Sequence, residues 1–550
     1  MRSLLLALVC MGILYTFLAF VALPQKAFFS SDEGLKFIQV QNLLRKGWSD
    51  FTLDYPGREL DPDLRYVPIN NPPPLTRDGR MYAVYPVLFP LLATPLFSHL
   101  GYAGLYLIPL VSGLLTLVVT SRLARVAGTE GVLSMVILGL CTPLLFYSLL
   151  FWDHTLGVLL CTSALLLLAE NLETPRSPLI VLAGVTIGAS IWARTELYVM
   201  AVILPLAYFV FGGRRIRSSV LLCLGLLVAL APLWLFQFLT YGSFVGPHLG
   251  HFASLGETLP VNANRLAIVY YLLLESNPDP RLVFLFVMAF AAAATVMANR
   301  RLRGNPWVVA TVFGFLLVCC LPNLQQAWSG VPMGGLIATT PFLALALATM
   351  SKYGATRVDR LLLAVCGGQI ALACLATPVD PGLQWGPRLL LAVYPAATIL
   401  SVKGLHRVVR EHKRPETRTL VGVCLASTVV ISLLFQACGI RLLHVIKNRD
   451  RELIDTTARL TTSWVVSDEY GYAQYVAPLF YEKVFFYVRT QDDYQGLAQT
   501  LFKHGITTYA VTTYATPHRR AVDPLGVADG FVVRKIGDQL FEIGTSKQTG

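Results

Sequence analysis

The chain has 550 residues, of which 55% are hydrophobic and only 14% charged, against about 25% charged in a soluble globular protein. Composition therefore excludes an ordinary soluble enzyme and points to a protein solvated mostly by lipid. The formal net charge of +12 does not indicate a nucleic-acid partner. Many of the basic residues sit in short turns between apolar runs, the bias that orients membrane proteins. The cysteines all lie in or at the ends of apolar runs, with no Cys/His metal spacing, and read as small packing residues.

In chain order, Met1-Arg2 precede an apolar run over 3–23. That run exceeds the roughly 7–15 apolar residues of a cleaved leader, so it reads as a retained signal anchor. The first loop follows, over 24–85. From Ser31 to Leu44 the pattern is helical, with Leu35, Ile38, Leu43 and Leu44 apolar, and predicts a helix along the membrane surface. Ser30 and Glu33 form a capping-box pattern at its start. Arg77-Asp78-Gly79-Arg80 predicts a hairpin. The proline-containing stretch 86–98 is too short to span and reads as an interfacial or re-entrant segment.

About thirteen spans are predicted, near 3–23, 102–121, 130–150, 155–170, 178–193, 196–212, 219–240, 281–298, 307–322, 334–350, 361–377, 389–402 and 419–438. Alternate turns carry the basic residues, from Arg122 and Arg125 to the run Lys403–Arg418, and these turns are assigned to the cytoplasm with the N-terminus. From about Arg441 the composition becomes that of a soluble domain. Strands are expected at 465–466, 483–488, 506–511, 531–535 and 539–543, with a helix over 492–504 ending at Gly505. The expected organisation is a polytopic α-helical membrane domain, 1–440, that includes the loop 24–85, then a small α/β extracytoplasmic domain, 441–550.

The outer turns hold the chemistry-bearing residues. Asp32 and Glu33 start the interfacial helix. Trp152-Asp153-His154 stands between the third and fourth spans, Arg194 and Glu196 between the fifth and sixth. His248 lies in the outer turn from Tyr241 to Pro260, and Gln384-Trp385-Gly386-Pro387-Arg388 opens the twelfth span. Each has a bland reading as a helix cap or interfacial anchor. Together they supply what sugar transfer from a lipid phosphate requires: a carboxylate to take the acceptor proton and arginines for the departing phosphate.

This ordered set resembles the GT-C superfamily of membrane glycosyltransferases. It is most similar to bacterial relatives of protein O-mannosyltransferases and lipid A aminoarabinose transferases. Asp32-Glu33, the run Asp78-Gly79-Arg80-Met81-Tyr82-Ala83-Val84-Tyr85-Pro86, Asp153, Arg194 and Trp385-Gly386-Pro387-Arg388 carry the resemblance. It implies an inverting transferase of the outer face of the cytoplasmic membrane that takes a sugar from a polyprenyl-phosphate donor. Asp32, Glu33 and Asp153 are the implied catalytic acids, and Arg388 and Arg194 the implied partners of the donor phosphate. His154, Trp385, Tyr85 and His248 are candidate donor or acceptor contacts. A divalent cation, Mg or Mn, on Asp32 or Asp153 is a candidate cofactor, since some relatives need one and others do not. The acceptor belongs to one of three classes: lipid, polysaccharide or protein. Two alternatives stay open: a glycan polymerase or ligase using a polyprenyl-diphosphate oligosaccharide, and a lipid-linked sugar flippase or transporter.

Overall fold

The computed structural model describes residues 2–213, 215–250, 261–350, 355–377, 382–513, 522–524, 531–536 and 540–545. The chain is mostly helical. Among the described residues, eight helices are long and apolar enough to cross a membrane, and seven shorter apolar helices accompany them. The chain is a multi-pass membrane protein. Five of the expected spans, near 130–150, 155–170, 178–193, 196–212 and 334–350, fall among the shorter helices. The first of these stops at Cys141, because Pro143 follows its cap Thr142 and cannot donate to the helix ladder. The last helix is longer than expected: it runs unbroken for 44 residues, Pro415–Ala458, past the composition change at Arg441.

By compactness the chain divides into two units, Met1–Leu23 with Leu105–His444, and Pro24–Gly104 with Val445–Gly550. The second unit thus joins the first loop to the C-terminal segment, across the sequence break expected at 440/441.

The first unit is built mostly from apolar helices, long and short. Helices Ser177–Ala193 and Ile216–Tyr241 pack side by side, and Trp192 Nε1 donates across to the Ala229 carbonyl at 2.9 Å. The Tyr15 hydroxyl, fully buried, reaches the Gly139 carbonyl at 2.8 Å. In lipid such polar ties hold helices together where the hydrophobic effect does not.

The second unit holds two sheets. Strands β1 (Thr52–Leu53), β2 (Leu75–Arg77) and β3 (Arg80–Tyr82) pair antiparallel in the order β1-β3-β2. The expected hairpin is β2–β3, and its two turn residues, Asp78 and Gly79, both have positive φ, at 50° and 70°. The expected surface helix forms over Ser31–Arg45. The stretch 86–98 forms a 13-residue helix, Leu88–Leu100, which packs on Ser31–Arg45 through Phe37 and Phe97, with ring centroids 5.1 Å apart.

The C-terminal sheet contains β4 (Trp464–Ser467), β5 (Val484–Tyr487), β6 (Thr508–Thr512), β7 (Phe531–Lys535) and β8 (Leu540–Thr545), in the order β5-β4-β6-β8-β7. Strand β4 is parallel to both neighbours, while β8 pairs antiparallel with β6 and β7. Helix Gln491–Lys503 makes the crossover from β5 to β6; Tyr494, Leu497, Ala498 and Leu501 form its buried face. Val465, Val466, Ala510 and Val511 are fully buried, as expected for central parallel strands.

Candidate active site

Within the second unit, Asp32 and Glu33 occupy the first turn of helix Ser31–Arg45, where the helix dipole favours acids. The capping box expected from Ser30 and Glu33 does not form. The Ser30 side chain makes no cap bond, and Glu33 instead accepts from the Phe29 N–H, one residue earlier, at 2.5 Å. Glu33 is fully buried, and the buried ammonium of Lys447 lies close enough to feel its charge.

The environment of Asp32 is different. It is the one residue of 31–40 that is not buried, and its Oδ1 accepts from the Tyr85 hydroxyl at 2.5 Å. One turn along, Lys36 is 1% exposed and sets its ammonium 4.9 Å from the centre of the Tyr85 ring. Asp32, Tyr85 and Lys36 therefore form one contiguous group. The adjacent acids have divergent surroundings, one closed in the packing and one at its surface.

The Gln474 side chain fastens the start of this helix. It is fully buried and uses both ends of its amide. Nε2 donates to the Ser31 carbonyl at 3.2 Å and to the Asn71 carbonyl at 2.6 Å. Oε1 accepts from the N–H groups of Asn70 at 3.3 Å and Asn71 at 3.0 Å. Gly34 makes the approach feasible, since a Cβ there would stand 1.8 Å from the Gln474 carbonyl oxygen. Gln474→Leu keeps the volume but strands these buried backbone groups, each worth about 1–3 kcal/mol when left unmade. A loss of at least about 2 kcal/mol in stability is expected, read from the melting curve of the detergent-solubilised protein. An unchanged curve would mean that water replaces the amide.

A second acidic group lies in the same unit. Asp450 is fully buried and accepts from Arg449 Nη2 at 3.0 Å. Burial pushes the Glu469 carboxyl up to about 7; Arg449 opposes the shift, and Asp450 and Asp468 add to it. Burial also raises the Tyr475 hydroxyl to about 12, with Glu469, Asp450 and Asp32 contributing. Sequence reasoning missed Lys36, Lys447, Asp450, Glu469 and Gln474. A usable signal existed for Glu469, which follows the carboxyl end of the central strand β4, where parallel sheets present their polar groups.

Within the first unit, Asp153 and Arg194 come together. Asp153 immediately precedes helix His154–Glu170 without capping it, and its Oδ1 takes Arg194 Nη1 at 2.5 Å. Arg194 also pairs with Glu196 through Nε. Burial would discharge the guanidinium, but Glu196 and Asp153 outweigh it and hold Arg194 firmly protonated. Arg194 Nη1 also lies 3.1 Å from His154 Nδ1. Arginine has no acceptor, so Nδ1 must accept and the imidazole proton sits on Nε2. Asp153 Oδ1, at 3.6 Å from the same nitrogen, is the weaker neighbour.

Arg388 belongs to the same assembly. Its guanidinium lies 5.4 Å from the centre of the Trp152 ring, whose other ring neighbours include His154 at 4.8 Å and Tyr147 at 5.5 Å. Gly386 sets the turn with φ 64°, and a Cβ there would stand 2.3 Å from Pro143 Cγ. Trp385 lies inside the packing, fully buried, with its indole N–H donated to Gln436 Oε1 at 3.2 Å. His248 Nδ1 stands 2.6 Å from Thr195 Oγ1 and so buttresses the turn beside Arg194.

Among the described residues, no group of three or more His, Cys, Asp or Glu side chains is placed to hold a metal ion. At both expected residues one carboxylate oxygen already has a partner: Asp153 Oδ1 holds the Arg194 guanidinium at 2.5 Å, and Asp32 Oδ1 accepts from the Tyr85 hydroxyl at 2.5 Å.

No protein-family model and no curated protein sequence matches the chain. Solved structures do. ArnT from Cupriavidus metallidurans bound to undecaprenyl phosphate is similar with a TM-score of 0.51 and 13% identity, over 97% of each chain. The archaeal oligosaccharyltransferase AglB from Archaeoglobus fulgidus, in complex with an inhibitory peptide and a dolichol-phosphate, matches with a TM-score of 0.51 and 12% identity. That likeness covers 92% of this chain and 69% of AglB. At 12–13% identity these likenesses show that the chain shares the fold of both proteins.

Proposed function

We propose that this GT-C-fold chain transfers a sugar from a polyprenyl-phosphate donor to an acceptor hydroxyl, with inversion, at the outer face of the cytoplasmic membrane. The observation that carries this reading is Asp32, a carboxylate at the surface of an otherwise buried turn and oriented by the Tyr85 hydroxyl. In this reading Asp32 accepts the acceptor's proton as the acceptor oxygen bonds the anomeric carbon. The sugar–phosphate C–O bond breaks, and its electron pair leaves on the phosphate. Glu33 anchors the helix start, and Asp153 fixes the Arg194 guanidinium. Arg388 and Arg194 receive the charge that develops on the phosphate. No step is assigned to a divalent cation. The basic bias of alternate turns supports a cytoplasmic N-terminus and an extracytoplasmic segment 441–550. The acceptor is a lipid, polysaccharide or protein hydroxyl, and nucleic acid has no part in it.

Arg388→Lys tests the phosphate assignment. A point charge does not reproduce the guanidinium fork, so turnover with a polyprenyl-phosphate sugar should fall clearly. The expected loss is at least about tenfold and smaller than the roughly 10²–10³-fold loss on deleting an oxyanion donor. If Arg388 is an interfacial anchor, lysine snorkels equally well and turnover stays at the wild-type level.

A further inference from the structure

Within the first unit, the turn that carries Arg388 is held from several sides. Gly386 donates its N–H to the Met333 carbonyl at 2.7 Å, and the Trp385 indole reaches Gln436. The helical element Arg388–Glu411 begins directly after Pro387, whose side chain makes no cap bond to the orphan N–H groups of the first turn. Gln384 takes over that task. Its Oε1 accepts from the Arg388 N–H at 3.2 Å, and the residue is only 2% exposed.

The surroundings of Gln384 favour this orientation of its amide. A Cβ on Gly334 would stand 2.0 Å from Glu275 Oε2 and 2.7 Å from Gln384 Nε2, so the carboxylate oxygen and the amide nitrogen border one small space. The Gly335 N–H donates to the Glu275 carbonyl at 3.0 Å, which ties residue 275 to the same turn. A carboxylate in that place attracts the N–H end of the amide and leaves the oxygen end to Arg388.

We propose that Gln384 is the positioning residue of Arg388: its bond to the Arg388 N–H sets the direction in which the guanidinium leaves the helix start. The inference rests on the reading of Arg388 as a partner of the donor phosphate. Arg388 is the first residue of its helix, and helix ends fray when their N–H groups are unmet. Any loosening therefore falls on the residue that holds the guanidinium over the Trp152 ring, 5.4 Å from its centre. Guanidinium groups bind phosphate oxygens through paired donors of fixed geometry, and a misplacement of about 1 Å is enough to cost much of such a contact.

The test is native mass spectrometry of the full-length protein in detergent, titrated with undecaprenyl phosphate. Gln384→Met keeps the length of the side chain and removes the acceptor. It should weaken retention about tenfold, the scale of one hydrogen bond to a charged group. In an Arg388→Ala background the same change should cost less than about twofold, because no guanidinium is left to misplace. The fall in melting temperature should be the same in both backgrounds. A purely structural role predicts equal loss of retention in both. That result would overturn the proposal, and so would full retention by Gln384→Met alone. If Gln384→Met does not fold, Gln384→Asn, whose amide stops one methylene short of the Arg388 N–H, carries the same expectation. Wild-type retention by Arg388→Ala alone would overturn the phosphate reading of Arg388 itself, a failure distinct from that of Gln384, and would take the inference with it.

Discussion

Asp32→Asn is expected to lower sugar transfer by about 10²–10⁴-fold, the usual loss when a general base is removed, while membrane insertion and melting temperature stay near wild type. The amide can still accept the Tyr85 hydroxyl bond but cannot take a proton from the acceptor. A capping role predicts the opposite, since Asn caps a helix as well as Asp. The structure already weakens that role, because the Asp32 carboxylate faces Tyr85 and the helix start is tied down by Glu33 and Gln474. Initial rates at saturating donor, together with a melting curve, separate the two. Full activity in the Asn variant would return Asp32 to the helix as a cap.

Arg194→Met should have the largest effect on stability. Asp153 and Glu196 have side chains only 2% and 20% exposed, and Arg194 is the cation that both contact. Removing it leaves uncompensated charge in a poorly solvated place, a loss of about 3–5 kcal/mol. The melting temperature in detergent should fall sharply, and the companion change Asp153→Leu should recover part of the loss by removing the stranded carboxylate. If Arg194→Met melts like wild type, water reaches the cluster and the ion pair is worth no more than a surface one. The double variant also separates stability from function, because part of the stability should return while transfer, which uses the Arg194 guanidinium, does not.

The elements that were legible in the sequence are those with a local signal. Short runs of Val, Phe and Tyr placed β4 and β5 within about a residue of their observed limits, and Gly505 at φ 75° ends helix Gln491–Lys503 as a left-handed stop. Asp-Gly marked the β2–β3 hairpin, and the amphipathic run at Ser31 marked the surface helix. Span lengths were less legible, because hydropathy continues across Thr142-Pro143 where the helix does not.

The candidate site was readable as an inventory but not as a set of contacts. Asp153 and Arg194 each stood out at a span end, yet their ion pair joins positions 41 residues apart, and no periodicity encodes it. The same holds for Gln474, whose partners Ser31 and Asn71 lie more than 400 residues away. Trp385 looked like a ligand contact because it is aromatic and near Arg388. Its burial and its bond to Gln436 are tertiary facts that its neighbours in sequence do not reveal.

The most direct measurement of the central claim is donor use by the purified protein in lipid nanodiscs, with a label in the sugar. The account predicts that label leaves a polyprenyl-monophosphate sugar and appears on an acceptor hydroxyl with inverted configuration. One polyprenyl phosphate should be released for each sugar transferred, and Asp32→Asn should abolish the release. Transfer from a polyprenyl-diphosphate oligosaccharide alone would contradict the account, as would movement of the intact lipid-linked sugar across the bilayer without cleavage of its sugar–phosphate bond.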